Sequence, residues 1–236
     1  MRGDGRKLDE LRPVSLERGF AKFAEGSCLV KMGETHMLVT ATVEDRVPPF
    51  LKNTGKAWIT AEYSMLPRSG RQRNQRDLMR PNARSLEIQR IIGRSVRCVA
   101  NMDGAGEWTI TLDCDAIQAD GGTRTAAITG AYIATYDAMR WMIQQKTIKQ
   151  ILLSEPIAAV SVGIVRGHEM LDLNYDEDST AAADLNVVMT ESGKFVEVQG
   201  TAEQEPFSAE TLGKLLGLAK RGIDELIKMQ KSVLEI

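Results

Sequence analysis

The stretch Asp120-Gly121-Gly122-Thr123-Arg124-Thr125 joins an alternating segment to a long apolar one, and this forces a strand–turn–helix at the middle of the chain. Within Glu107 to Ile117, Ile110, Leu112, Cys114 and Ala116 fall on one face, and Thr109, Thr111, Asp113 and Asp115 on the other. That is the period of a half-buried strand. From Thr123 to Gln145 the pattern is helical. Two adjacent glycines let the backbone pass close to a bound group. The first helical turn offers free N–H donors and positive dipole potential, and Arg124 adds a planar guanidinium. Together these features suit a phosphate-sized anion. The other reading is a tight turn with Thr123 as N-cap. Because caps outnumber anion sites, the turn alone favours that simpler reading.

Charge placement adds a second constraint. The chain of 236 residues has a net charge of −2, which argues against a general nucleic-acid binder. Its bases are nevertheless concentrated: nine arginines and no lysine lie between Arg68 and Arg97, with only Asp77 and Glu87 opposing them. Arginine pairs with phosphate bidentately and stacks on bases, so this window favours RNA over a merely solvated face. Cys28, Cys98 and Cys114 fit no zinc spacing and no disulfide framework, so reduced core cysteines and a cytoplasmic setting are expected. No apolar signal region opens the sequence, and no stretch is long enough to span a bilayer.

The first part reads as β, with alternating segments at Val14 to Ala21, Gly26 to Met32, His36 to Glu44 and Trp58 to Met65. Pro67 to Pro81 is polar, Arg-rich and without periodicity, which predicts a mobile loop. A helix is predicted from Ser85 to Ala100, with Ile88, Ile91, Ile92, Ser95, Val96 and Val99 inward and Arg90, Arg94 and Arg97 outward. Further on, Ala158 to Val165 with Met170 to Tyr175, and Asp184 to Thr190 with Phe195 to Gln199, read as hairpins. Ser208 to Gln230 reads as an amphipathic helix. Gly55-Lys56, a strand and Pro67 are echoed by Gly193-Lys194, a strand and Pro206, each leading into a helix. The echo suggests a duplicated α+β unit with halves near 1–146 and 147–236.

Several longer motifs share this framework. They are Arg2, Asp4-Gly5-Arg6, Leu11-Arg12-Pro13, Trp58-Ile59-Thr60-Ala61-Glu62-Tyr63, Arg84-Ser85-Leu86-Glu87-Ile88-Gln89-Arg90, Asp178 to Asp184, Asn186 to Thr190 and Glu197 to Glu203. With the glycine turn, they closely resemble the bacterial ribonuclease PH family almost end to end. The resemblance implies one α+β domain of the ribosomal protein S5 domain 2-like type, built from two pseudo-repeated halves. It also implies a phosphate-dependent 3′-to-5′ exoribonuclease that matures tRNA precursor 3′ ends, releases nucleoside diphosphates and works as a homo-oligomeric ring, a trimer of dimers.

Matched residue by residue, the family's phosphate ligands fall on Arg84, Gly122, Thr123 and Arg124. Two guanidinia at a helix N-terminus make a strong anion site, so chemistry and resemblance agree there. The family's acidic pair falls on Asp178 and Asp184; one would act as general acid on the leaving oxygen, or both would hold a divalent ion, Mg²⁺. On charge pattern alone those carboxylates read as a solvated acidic loop beside Asp176 and Glu177. Arg68, Arg73 and Arg76 match loop arginines that grip the tRNA body. The segment Asp77 to Ala83 is shorter than usual and lacks the common Lys/Gly-rich run. Phosphate is already a nucleophile, so His36 and His168 are expected at the surface. Two other classes compete. A non-catalytic RNA-binding ring subunit of an exosome-like assembly would lose the phosphate arginines or the acidic pair, and a small-molecule kinase would need a Gly-rich ATP loop.

Overall fold

The computed structural model describes residues 2–76 and 82–236. Its first half contains β1 (Val14–Arg18), β2 (Gly26–Met32), β3 (Thr35–Glu44), β4 (Trp58–Met65), α1 (Ala83–Cys98), β5 (Thr109–Gln118) and α2 (Thr123–Gln144). These strands form a sheet in the order β1-β2-β3-β5-β4, with β4 parallel to β5. The second half contains β6 (Ile157–Val165), β7 (His168–Leu171), α3 (Tyr175–Asp178), β8 (Ala183–Thr190), β9 (Phe195–Ala202) and α4 (Ala209–Leu234). Its sheet runs β7-β6-β8-β9, all antiparallel.

Helix α2 lies between the two sheets, packing on β2 and β3 of one and β6 of the other. A helix in that place needs apolar or small residues all round. Accordingly Ala126, Ala127, Gly130, Ala131 and Ala134 are buried along it. The approach is close: a Cβ at Gly130 would sit 2.6 Å from a Val30 methyl, and one at Gly26 would sit 2.0 Å from the Ala134 carbonyl oxygen. Buried Gln230 of α4 donates to the carbonyls of Thr129 and Ile157, both at 2.9 Å, which ties α4 to α2 and β6. One contiguous apolar core draws on both halves.

Several boundaries differ from those expected, for local reasons. Strand β1 ends at Arg18 rather than Ala21, because Gly19 turns the chain at φ 65°. The strand expected over Met170 to Tyr175 stops at Leu171, where Asp172 adopts φ 54°. The residues that follow form the single-turn helix α3. Its capping box pairs the Asn174 side chain with the Glu177 N–H at 3.0 Å, and Glu177 reaches back to the Asn174 N–H at 3.1 Å. Cys28 and Cys114 are buried as expected, but Cys98 is exposed at the end of α1. Burial pushes the Cys28 thiol up to about 12, so it is inert at neutral pH. His36 is half-buried and His168 exposed. Of the expected mobile loop, Asp77 to Pro81 lies outside the described residues. The part before it is tied down: Ser69 accepts from the Ala119 N–H at 2.8 Å, and the Asn74 N–H donates to Pro67 at 2.7 Å. Among the described residues, no helix is long and apolar enough to cross a membrane.

Candidate active site

The glycine turn is held by buried polar groups from both sides. Gly121 and Gly122 take φ of 76° and 66°, the left-handed region that glycine enters without penalty. A side chain on Gly121 would come within 2.6 Å of the Leu173 carbonyl oxygen and 2.9 Å of the Tyr175 nitrogen, so here the two halves meet backbone to backbone. Arg12 donates to the Asp120 carbonyl at 2.5 Å, and the Thr35 hydroxyl donates to the Gly121 carbonyl at 2.6 Å. The Asp120 side chain accepts from the Tyr175 N–H at 3.3 Å, which carries the link on into α3.

Gly122, rather than Thr123, is the N-cap of α2, and among the described residues no side chain caps this helix. Thr123 is diverted: its hydroxyl is hydrogen-bonded to that of Tyr63 at 2.8 Å, both buried. The first turn of α2 therefore keeps its positive end without an acidic residue or a capping side chain. Arg124 stands on that turn and donates to Gln199 of β9 at 2.6 Å, while Glu87 of α1 lies 3.8 Å away. Gln199 in turn hydrogen-bonds Glu87. Arg84 is the second residue of α1 and is exposed. Its positive charge favours the ionised forms of both Tyr63 and Asp178.

The two carboxylates enter from the second half. Asp178 ends α3 and keeps an open side to solvent, while Asp184 lies half-buried at the start of β8. Burial raises the Asp178 carboxyl above the ordinary aspartate range, and Arg124, Arg84 and Arg12 offset this only in part. Burial also raises Asp184, reinforced by the negative charges of Asp178 and Glu203 and opposed by Arg124. Asp184 is thus partly withdrawn from water beside a second carboxylate and Arg124, whereas Asp178 stays exposed within reach of Arg124 and Arg84. Among the described residues, no group of three or more His, Cys, Asp or Glu is arranged to hold a metal ion. Two repelling carboxylates fit a hard divalent cation that takes its remaining ligands from water and substrate.

Arg68, Arg73 and Arg76 lie on the connection between β4 and α1, all exposed and without an ion pair among the described residues. Their loop is pinned through Ser69 to Ala119, next to the glycine turn. Arg71, between them, pairs with Asp176 at 2.8 Å and lies over the Tyr175 ring at 5.0 Å, so this loop touches α3. Asp113 and Asp115 take no arginine partner among the described residues; burial raises both, and Glu62 across the sheet raises Asp113 further.

Sequence reading did not single out Tyr63, Gln199, Glu203 or Arg12 as site residues. Each lies in one of the longer motifs, but the contacts of Tyr63, Gln199 and Arg12 join residues 60 to 160 apart, and Glu203 acts on Asp184 from just past the end of β9.

Two strand layers sharing one central helix form a fold that solved structures share. Rice Rrp46 is similar over 99% of this chain and 100% of its own, at 18% identity and a TM-score of 0.80. An archaeal exosome core is similar over 98% and 91%, at 21% identity and 0.77. The Archaeoglobus fulgidus exosome with RNA bound to its active site is similar over 97% and 92%, at 21% identity and 0.78. Sequence models of the 3′ exoribonuclease family match residues 10–140 as its domain 1 and residues 155–222 as its domain 2. The chain belongs to this 3′ exoribonuclease family.

Proposed function

We propose that this member is a phosphate-dependent 3′-to-5′ exoribonuclease of the bacterial ribonuclease PH kind, trimming tRNA precursor 3′ ends in the cytoplasm as a homohexamer of single-domain subunits. The observation that carries the reading is that Arg124, on the uncapped first turn of α2, lies near enough to Asp178 and Asp184 to act on both carboxyls, and that Arg84 of α1 also acts on Asp178. Arg84, Arg124 and the turn at Gly122 and Thr123 hold inorganic phosphate in line with the terminal phosphodiester. A phosphate oxygen bonds to that phosphorus, and the bond to the 3′-oxygen of the preceding nucleotide breaks. The terminal nucleotide leaves as its 5′-diphosphate. One of Asp178 and Asp184 supplies the proton that the leaving 3′-oxygen takes up, or the two together hold a divalent ion. In that second case Asp178 and Asp184 would hold Mg²⁺, which would offset charge on the reacting phosphoryl group. Arg68, Arg73 and Arg76 hold the tRNA body at a distance from the chemistry.

The test is incubation with a tRNA carrying extra 3′ nucleotides, with and without phosphate. Trimming requires phosphate and releases diphosphates, and excess nucleoside diphosphate extends the 3′ end instead. Monophosphates released at the same rate in phosphate-free buffer would identify a hydrolase. No trimming under either condition would favour a non-catalytic ring subunit.

A further inference from the structure

Helix α3 carries Asp178 on a single turn of four residues, far too short to hold its own conformation in water. Its capping box closes the turn but does not fix where the turn sits. That task falls to Arg2, whose side chain is fully buried. Its guanidinium grips Glu177 through both carboxylate oxygens, Nε to Oε1 at 2.8 Å and Nη2 to Oε2 at 2.6 Å. The same group donates to the carbonyls of Leu171 at 2.7 Å and Asp172 at 2.8 Å. One planar fork thus ties the end of β7, the left-handed turn at Asp172 and α3 into a fixed arrangement.

We propose that Arg2 is a positioning residue for the phosphorolytic step: its bidentate pair with Glu177 sets the place of the neighbouring Asp178 in the cleft. This rests on the ribonuclease reading above. Consecutive Cα atoms lie about 3.8 Å apart, so a turn that pivots at Glu177 displaces Asp178 with it. Arg6, at 3.7 Å from Glu177, is too distant to replace the fork and is already engaged with Asp4 at 2.7 Å. The glycine turn depends on it less, because Arg12 and Thr35 hold it and one hydrogen bond of 3.3 Å, from the Tyr175 N–H to Asp120, joins it to α3. Loss of Arg2 therefore disturbs Asp178 more than the phosphate side.

The full-length Arg2→Ala, Arg2→Lys and Glu177→Gln variants test this against the wild type. For Arg2→Ala, kcat on the extended tRNA falls on the order of a hundredfold, the scale of an ångström-sized misplacement. KM for phosphate stays within about twofold, as expected when only the step after binding is affected. Arg2→Lys and Glu177→Gln lie between, since each leaves a single contact where there were two. Amide hydrogen exchange quickens across residues 174–180 and stays unchanged in the first turn of α2. An unchanged kcat overturns the proposal. So does a fall in kcat with a parallel rise in KM for phosphate and faster exchange throughout both sheets, or failure of all three variants to fold; Arg2 would then brace the fold as a whole. If the wild type itself releases no diphosphates, the ribonuclease reading fails, and exchange alone decides the brace: local loosening supports it and general loosening overturns it.

Discussion

Two sets of arginines in this chain do opposite work. Arg2, Arg6 and Arg12 are buried against Asp4, Asp172 and Glu177, three cations facing three anions, with carbonyls taking up remaining donors. Arg68, Arg73 and Arg76 are exposed and have no carboxylate partner among the described residues. Burial alone pulls Arg12 down, but its hydrogen bonds and charge pairing with Asp172 outweigh this and leave it raised. Removing one member of such a network strands a buried charge, whereas an exposed arginine leaves nothing behind. Sequence composition counts both sets alike. Burial makes the first a clamp between the halves and leaves the second available to a polyanion.

The largest expected effect lies between these sets, at the carboxylates that the clamp holds. Asp184→Asn should lower turnover by about 10²–10⁴-fold, the usual range for a lost general acid. Steady-state phosphorolysis measures it, and near-normal turnover would leave Asp184 a structural role. Arg12→Ala should destabilise the fold by about 3–5 kcal/mol, because buried Asp172 loses its close guanidinium and keeps only the residue-12 backbone N–H and the longer ion pair with Arg6. Urea unfolding reads this directly, and a loss below about 1 kcal/mol would put the buried network on the same footing as a surface pair. The combined change of Arg68, Arg73 and Arg76 to Ala should leave that unfolding midpoint in place and weaken tRNA binding. Each lost phosphate contact should reduce the slope of log affinity against log salt by about 0.7–0.9. A short single-stranded oligonucleotide should still be degraded, whereas Arg84→Ala should impair both substrates. Unchanged tRNA affinity and salt slope in the triple variant would reduce the loop to a solvated surface.

The smallest effect concerns pH. Asp184 binds its proton more tightly in the folded state than the ordinary aspartate value of 3.8 would give. The folded protein therefore holds more proton than the unfolded chain between 3.8 and the raised value. Its contribution favours folding below that window and is lost as pH rises through it. Asp184→Asn removes the term, so the variant should match or slightly exceed wild-type stability at pH 7, by less than about 1 kcal/mol. The difference should vanish as pH falls below 3.8. Paired urea titrations at the two pH values check the sign, and a variant less stable than wild type at pH 7 would mean that Asp184 is favourably paired in the fold.

Much of the architecture was legible because it follows local periodicity. The alternation in β5 and the small-residue pattern of α2 repeat within one element, and both lie within a residue or two of their expected ends. The glycine turn at the start of α2 was legible for the same reason, since its glycines, Thr123 and Arg124 are consecutive. The N-cap was misassigned to Thr123 because the partner of its hydroxyl, Tyr63, comes from another strand. Helix α3 was legible in principle, for Asn174 and Glu177 have capping-box spacing, but the apolar run before them reads as a strand.

By itself, the sequence determined the elements, the phosphate-type turn and, through its long motifs, the family resemblance and the residues matched to the site. What only the tertiary structure decided is how those residues meet. It set Asp178 near enough to raise Asp184, joined Arg124 to Gln199 and Glu87, and buried Arg2 on Glu177. Helical and strand periods are properties of neighbouring residues and are written along the chain. Desolvation, charge coupling and hydrogen bonding across two sheets depend on distances that exist only once α2 has brought the halves together.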